Sequence, residues 1–372
     1  MDTLKHIIDT ISAPTISFTL ATILFPFIFP PGDWFEKIHR KFGFWRIWTK
    51  PGLYITLGTI TLFFTMGYYD KNFNITLTKP DNFPIILLVY SVFIYTWMSM
   101  YKAYENDERM SRGEKPMEYN DPDDKVLVWP DLVYVEFIAL IIFMVFLIVW
   151  SVLVAAPLEE PANPASTPNP SKAPWYFLGL QEMLVYFDPW LAGVVFPGLI
   201  IVGLMAIPYM STTPDNLSGF YSFKERRLGI FLFLYGFIVL WIFLIFIGTF
   251  FRGPNWNFFG PFEYWDPHKL VPLTNVNLSE YFWVKWLGTG LPLNILLRES
   301  IGFLTVIFYF VAVPVFLAKY VLSGFLNRVG AVKFSFFIFL GLSMLSLPLK
   351  MYLRWMINLK YIIAIPEWFF NI

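Results

Sequence analysis

Residues Asp131–Pro157 read DLVYVEFIALIIFMVFLIVWSVLVAAP, and no charged side chain interrupts the chain between Glu136 and Glu159. A helix needs about 20 apolar residues to cross ~30 Å of hydrocarbon, so this stretch can span a bilayer unaided. As a helix it satisfies its own backbone hydrogen bonds, as lipid requires of a spanning segment. Comparable runs at 13–31, 52–69, 84–101, 191–210, 229–250, 300–320 and 334–353 join 131–155 to predict about eight spans. Composition agrees: 57% of residues are apolar, 21% aromatic and 15% charged, with mean hydropathy +0.57. A soluble domain carries roughly 25% charged residues. The expected fold is all-α, a polytopic transmembrane helical bundle.

The distribution of Lys and Arg predicts orientation. Lys37, Arg40, Lys41, Arg46 and Lys50 follow the first span, and Lys102, Arg109, Arg112, Lys115 and Lys125 follow the third. Lys224, Arg226 and Arg227 follow the fifth, and Arg328 and Lys333 follow the seventh. The loops between these are poorer in cations, 156–190 holding only Lys172. This alternation places the basic loops inside and both termini on the outer side. Lys350 and Arg354, ending the last span, fall on the wrong side of the pattern. The first run, Ala13–Pro31, is read as a retained span rather than a signal peptide.

A formal net charge of zero excludes a nucleic-acid role, which needs concentrated positive surface. With no cysteine, the chain by itself holds no disulfide, iron–sulfur cluster or c-type haem. No zinc motif, nucleophile triad or phosphate loop is present, and Gly288-Thr289-Gly290 is too short to count. No metal site is expected.

Two outer loops stand out. Residues 157–175 (PLEEPANPASTPNPSKAPW) contain six prolines and favour a stiff, extended path. Residues 253–266 (GPNWNFFGPFEYWD) are dense in interfacial aromatics. The first loop carries Pro161, Ala162, Asn163 and Pro164, then Thr167 and Pro168, then Trp175, Tyr176, Phe177 and Leu178. This order resembles the C-terminal half of cytochrome b, which stands alone as subunit IV in complexes of the chloroplast (bf) type. The resemblance is specific over 126–252, weaker to about 355 and absent before 126. It implies an N-terminal three-span module at 1–125, a subunit IV-like core at 126–252, and an aromatic loop with two further spans at 253–372.

The resemblance also implies a function. This would be a membrane subunit of a respiratory bc-type quinol:electron-acceptor oxidoreductase, forming one wall of the quinol-oxidation pocket. The quinone-binding positions would be Pro174, Trp175, Tyr176 and Phe177, and the quinol would be menaquinol or ubiquinol. Partners would be a haem-binding subunit like the N-terminal half of cytochrome b, a Rieske iron–sulfur protein and a c-type cytochrome, among membrane lipids. The location would be an energy-transducing membrane, a bacterial inner membrane or its equivalent.

The sequence departs from the family where a glutamate precedes the Trp-Tyr pair, since Pro174 stands there and cannot accept a proton. Glu182, nearly two helical turns past Trp175, is the replacement candidate, with Asp188 as an alternative. The competing reading puts Glu182 on the wet side of an interfacial helix. Glu136 is a second candidate as an ionisable group inside a span, for proton uptake or a quinone head group; it could equally reach the interface. Bis-histidine haem needs imidazoles at membrane depth, whereas His6, His39 and His268 all fall outside the spans, so haem must come from a partner. His39, among Lys37, Arg40 and Lys41, reads as part of a lipid-facing basic loop. Arg298 and Glu299 read as a local pair anchoring a helix end.

The alternative keeps the fold and removes the chemistry, leaving a catalytically silent anchoring subunit of a membrane redox complex. A secondary transporter is disfavoured because no inverted repeat is visible.

Overall fold

A computed structural model describes residues 2–119, 127–154, 161, 163–165, 167–210 and 221–372. Among these, the strands are limited to a two-residue antiparallel pairing of Ala364–Ile365 with Phe370–Asn371, besides isolated bridges at Arg252–Phe258 and Val276–Leu359. The helices used below are α1 (Asp2–Ser12), α2 (Pro14–Ile28), α3 (Asp33–Lys41), α4 (Lys50–Tyr68), α5 (Lys71–Leu77), α6 (Phe83–Ser111) and α7 (Val133–Leu153). They continue with α8 (Leu178–Met183) and α9 (Phe196–Met210), then α10 (Arg226–Phe251), α11 (Ser300–Val321) and α12 (Ala331–Ile357).

The chain is a helical membrane bundle. Among the described residues five helices are long and apolar enough to cross a bilayer, namely α6, α7, α10, α11 and α12, and a sixth is reached if α1 and α2, bent by 74° at Ala13, form one span. The second predicted span is the 19-residue α4, and the fifth is α9 with the turn Leu191–Val195 before it. Pro14 opens α2, where its missing N–H is not needed.

The core is built around α10. Phe25 meets Tyr235 edge-on at 5.3 Å, and Phe18 packs against Phe243, Tyr352 and Trp355, so α2 sits between α10 and α12. Phe64 of α4 and Phe73 of α5 both reach Phe250. Helix α7 contributes no buried residue. A helix apolar all round and uncovered by its own chain faces lipid or another subunit. The 125/126 boundary lies outside the described residues.

Contacts between loops sort into two sets. In one, Lys5 pairs with Asp70 at 2.5 Å, Asn72 donates to the Phe262 carbonyl, and Asp9 accepts the Phe262 N–H. The same set joins Trp190 to Asn371 and the Lys360 N–H to the Val276 carbonyl. In the other set, Arg227 bridges Asp33 and Glu36, Asp107 accepts from Ser222 and Lys224, and Asn106 reaches the Tyr221 carbonyl. These are the cation-poor and cation-rich loops respectively, each set meeting its own kind at one end of the bundle.

Two local readings change and a third is extended. His39 is fully buried, not lipid-facing: its Nδ1–H donates to the Phe27 carbonyl and its Nε2 accepts from the Tyr104 hydroxyl, both at 2.7 Å. Lys350 and Arg354 do not breach the charge pattern by facing solvent, since both are buried. Arg354 donates to the Thr274 and Asn358 carbonyls and to Asn275 Oδ1, tying residues 274–275 to the start of the C-terminal segment, and Lys350 Nζ donates to the Ile372 carbonyl at 3.3 Å at its end. Arg298 pairs with Glu299 and also grips Glu367, while Glu299 accepts the Ala364 N–H.

Candidate functional site

The Trp-Tyr-Phe motif forms a single 3₁₀ turn, Trp175–Phe177, that leads directly into α8. Pro174 caps this turn from just before its first residue, with φ −50° and ψ 147°, and its carbonyl accepts the Phe177 N–H at 2.8 Å. Gln181 then reaches back along the chain. Its Oε1 accepts the Ala173 N–H at 2.8 Å and its Nε2 donates to the Ser171 carbonyl at 2.9 Å. The end of the proline loop is thereby bolted to α8.

Helix α8 lies across the end of α10 at close range, and two glycines permit it. A Cβ on Gly179 would stand 3.2 Å from Ile245 Cγ1, and one on Gly248 would stand 3.3 Å from the Leu178 carbonyl. Beneath the motif, Glu182 is wholly buried. Arg252, the first residue after α10, donates to it from Nε at 2.9 Å and from Nη2 at 2.5 Å, while Arg252 Nη1 binds the Trp256 carbonyl. Two parallel N–H···O bonds are the strongest carboxylate geometry available to a side chain. The Tyr186 hydroxyl lies 3.5 Å away and leans on the same carboxylate.

Lys172 adds a second cation. Its Nζ donates to the Thr249 carbonyl at 2.7 Å and sits 4.9 Å over the Trp265 ring. Burial, reinforced by Lys79 and Arg252, pushes its ammonium down to about 7. Asn169 and Asn255 exchange hydrogen bonds that tie the proline loop to the aromatic loop. Between the two loops and α8 lies an open cavity of about 600 Å³ lined by Asn169, Gln181, Val185 and Trp256 among others.

Trp175 is half-buried against the core, whereas Tyr176 and Phe177 are 48% and 50% exposed. Their rings pack on one another at 4.6 Å, making an apolar edge uncovered by this chain.

Pro174, Trp175, Tyr176 and Phe177 form one turn that leads straight into α8, which carries Glu182. Glu182 is not on a wet surface, because α8 turns that face onto α10 and the arginine at its end. Asp188 points elsewhere, accepting from Asn371 Nδ2 at 2.9 Å. Glu136 is exposed on α7 and belongs to no cluster. Ala162 lies outside the described residues. His6 and His268 are exposed, and both nitrogens of His39 are occupied. Among the described residues no group of three His, Cys, Asp or Glu side chains could hold a metal.

Sequence reasoning missed Arg252, Lys172 and Gln181. Arg252 carried a usable signal, as a lone cation closing an apolar run on the cation-poor side, where a buried acid is its natural partner.

Residues 161–261 match the family described as cytochrome b (C-terminal)/b6/petD. This segment is similar to the C-terminal part of cytochrome b. The chain is 28% identical over 119 residues to a cytochrome b from Marchantia polymorpha, covering 31% of this chain and 30% of that protein. It is also 28% identical over 122 residues to the menaquinol:cytochrome c reductase cytochrome c subunit of Geobacillus thermodenitrificans, covering 30% of this chain and 49% of the relative. The chain thus spans less than half the length of these curated relatives. No solved structure matches it. The cytochrome b-like stretch runs from the proline loop through the motif, α8 and α10 to the aromatic loop, so it contains the turn and Glu182. With its long apolar helices, the chain is an integral, multi-pass membrane protein.

Proposed function

We propose that this chain is a membrane subunit of a bc-type quinol:electron-acceptor oxidoreductase and supplies one wall of its quinol-oxidation pocket. The observation that carries the reading is the half-exposed Tyr176–Phe177 edge, mounted on a turn that Gln181 and the Glu182–Arg252 pair hold rigid. An apolar, aromatic edge suits a flat quinol ring, and the uncovered side leaves room for a partner to close the pocket. Haem would reside on a subunit like the N-terminal half of cytochrome b, with Rieske and c-type cytochrome partners receiving electrons. The quinol would be menaquinol or ubiquinol.

Glu182 is the proposed acceptor of a quinol proton in place of the family glutamate. Both its oxygens face Arg252, so accepting a proton requires the guanidinium to give up one of its two bonds. Glu136, remote from this cluster, is retained as a proposed second contact for proton uptake or a quinone head group. Residues 1–125, 126–252 and 253–372 are proposed as the functional segments.

Purified whole complex carrying Tyr176→Ala or Trp175→Leu should lose most quinol-dependent reduction of its acceptor. Full turnover in both would overturn the pocket assignment. The second reading, a silent anchoring subunit, draws on Pro174 and on the occupied lone pairs of Glu182. It predicts unchanged turnover with both variants and retained partner binding.

A further inference from the structure

A second cavity, of about 1150 Å³, lies at the cation-rich end of the bundle, between α6, α10, the short helix Ser323–Val329 and α12. It is larger than the roughly 300–1,000 Å³ of a drug-sized site, and its walls are dominated by Leu, Val and Phe side chains. Three cations, Arg226, Arg328 and Lys333, line it, and among the described residues no carboxylate does. Each of the three sits at or just beyond the end of a different span. Arg328 and Lys333 are exposed, and neither is paired with an acid among the described residues.

The depth of the groove is informative. Along α10 its lining runs from Arg226 to Phe237, and along α12 from Lys333 to Leu340. At 1.5 Å per residue these are rises of about 16 and 10 Å, close to one leaflet of a ~30 Å hydrocarbon core. Cations at the mouth, with an apolar trough one leaflet deep behind them, match one chemistry. We propose that this groove binds an anionic phospholipid, its phosphate at Arg328, Lys333 and Arg226 and its acyl chains against α6 and α10. Basic pockets between spans on the cytoplasmic side recognise such head groups by charge. The site is remote from the quinol-pocket motif and stands independently of that reading.

The test uses the full chain, with whatever partners copurify, delipidated in a neutral detergent. Thermal unfolding is followed as dioleoyl-phosphatidylglycerol, dioleoyl-phosphatidylcholine or inorganic phosphate is added. Phosphatidylglycerol should raise Tm, with apparent affinity on the order of tenfold above phosphatidylcholine. Phosphate alone should have no effect. The double variant Arg328→Gln/Lys333→Gln, altering two exposed side chains, should abolish the preference without lowering Tm in the absence of lipid. Ser99→Phe, which fills the trough, should lose the response to phosphatidylglycerol while keeping the cations. Equal responses to the two lipids, a shift produced by phosphate alone, or an undiminished preference in the double variant would each overturn the proposal.

Discussion

Glu182 and Arg252, 70 residues apart in the chain, form a two-bond ion pair at 2.5 and 2.9 Å directly beneath the Trp-Tyr-Phe turn, with the carboxylate wholly buried. The pair joins α8 to the end of α10. It therefore sets where the motif stands relative to the bundle.

Breaking this pair from one side leaves an uncompensated charge out of water. Arg252→Gln or Glu182→Gln should lower stability by about 3–5 kcal/mol. The double variant Glu182→Leu/Arg252→Met should recover much of that loss, because well-packed apolar groups can replace a buried pair. Thermal unfolding of the purified complex checks the order of the four Tm values. Quinol turnover of the double variant then separates the charge from the scaffold, since recovered stability with lost turnover assigns Glu182 to chemistry.

Lys172 makes stability depend on pH. Its ammonium titrates at about 7 in the folded protein, against an ordinary 10.5. Between those values the unfolded chain binds the extra proton, so stability rises with pH across that window and the penalty is fully present below it. Lys172→Met should flatten the slope of Tm between pH 7 and 9.5. An unchanged slope would show that Lys172 is not the group responsible.

His39 acts in a lower window. Burial holds its imidazole below the ordinary 6.5, outweighing the hydrogen bond to the Phe27 carbonyl, which favours the charged ring. As pH falls below about 6.5 the unfolded chain takes up a proton that the folded one refuses, and stability declines. His39→Gln should remove this decline at a fixed loss of about 1–3 kcal/mol, from leaving Tyr104 or the Phe27 carbonyl unsatisfied. Acid titration of Tm in both proteins is the check.

Gly179 is the contact point of α8 on α10. Gly179→Leu forces a side chain where Ile245 already stands, and should lower stability by about 1–3 kcal/mol. Because the motif rides on α8, quinol turnover should fall with it, whereas Gly193→Ala, whose added Cβ meets nothing within 4 Å, should leave both unchanged.

How much of this was legible in the sequence follows from which forces act locally. Uncharged runs such as 137–158 announce spanning helices because lipid allows no alternative. Cation-rich and cation-poor loops also meet their own kind, as the Arg227–Asp33 and Lys5–Asp70 pairs show. The proline loop and Trp175–Phe177 marked an outer turn, since proline geometry is set within one residue. The fate of individual charges was not legible. His39 lies in a run of lysines and arginines yet is the most enclosed polar group of its helix, because α2 and α6 close over it from 12 and 65 residues away. Lys350 and Arg354 looked like violations of topology, and became anchors once residues 358–372 folded back. For Glu182 the sequence offered only a helical phase relative to Trp175; that this phase points at Arg252 depends on α8 crossing α10 where Gly179 and Gly248 leave room. By itself the sequence determined a multi-span helical bundle and the turn at its Trp-Tyr-Phe motif, because burial in lipid and backbone geometry are read over short stretches. Which charges meet, which aromatic edge stays uncovered and where a groove opens were decided only by tertiary packing, since each depends on residues tens to hundreds of positions apart arriving within a few ångströms.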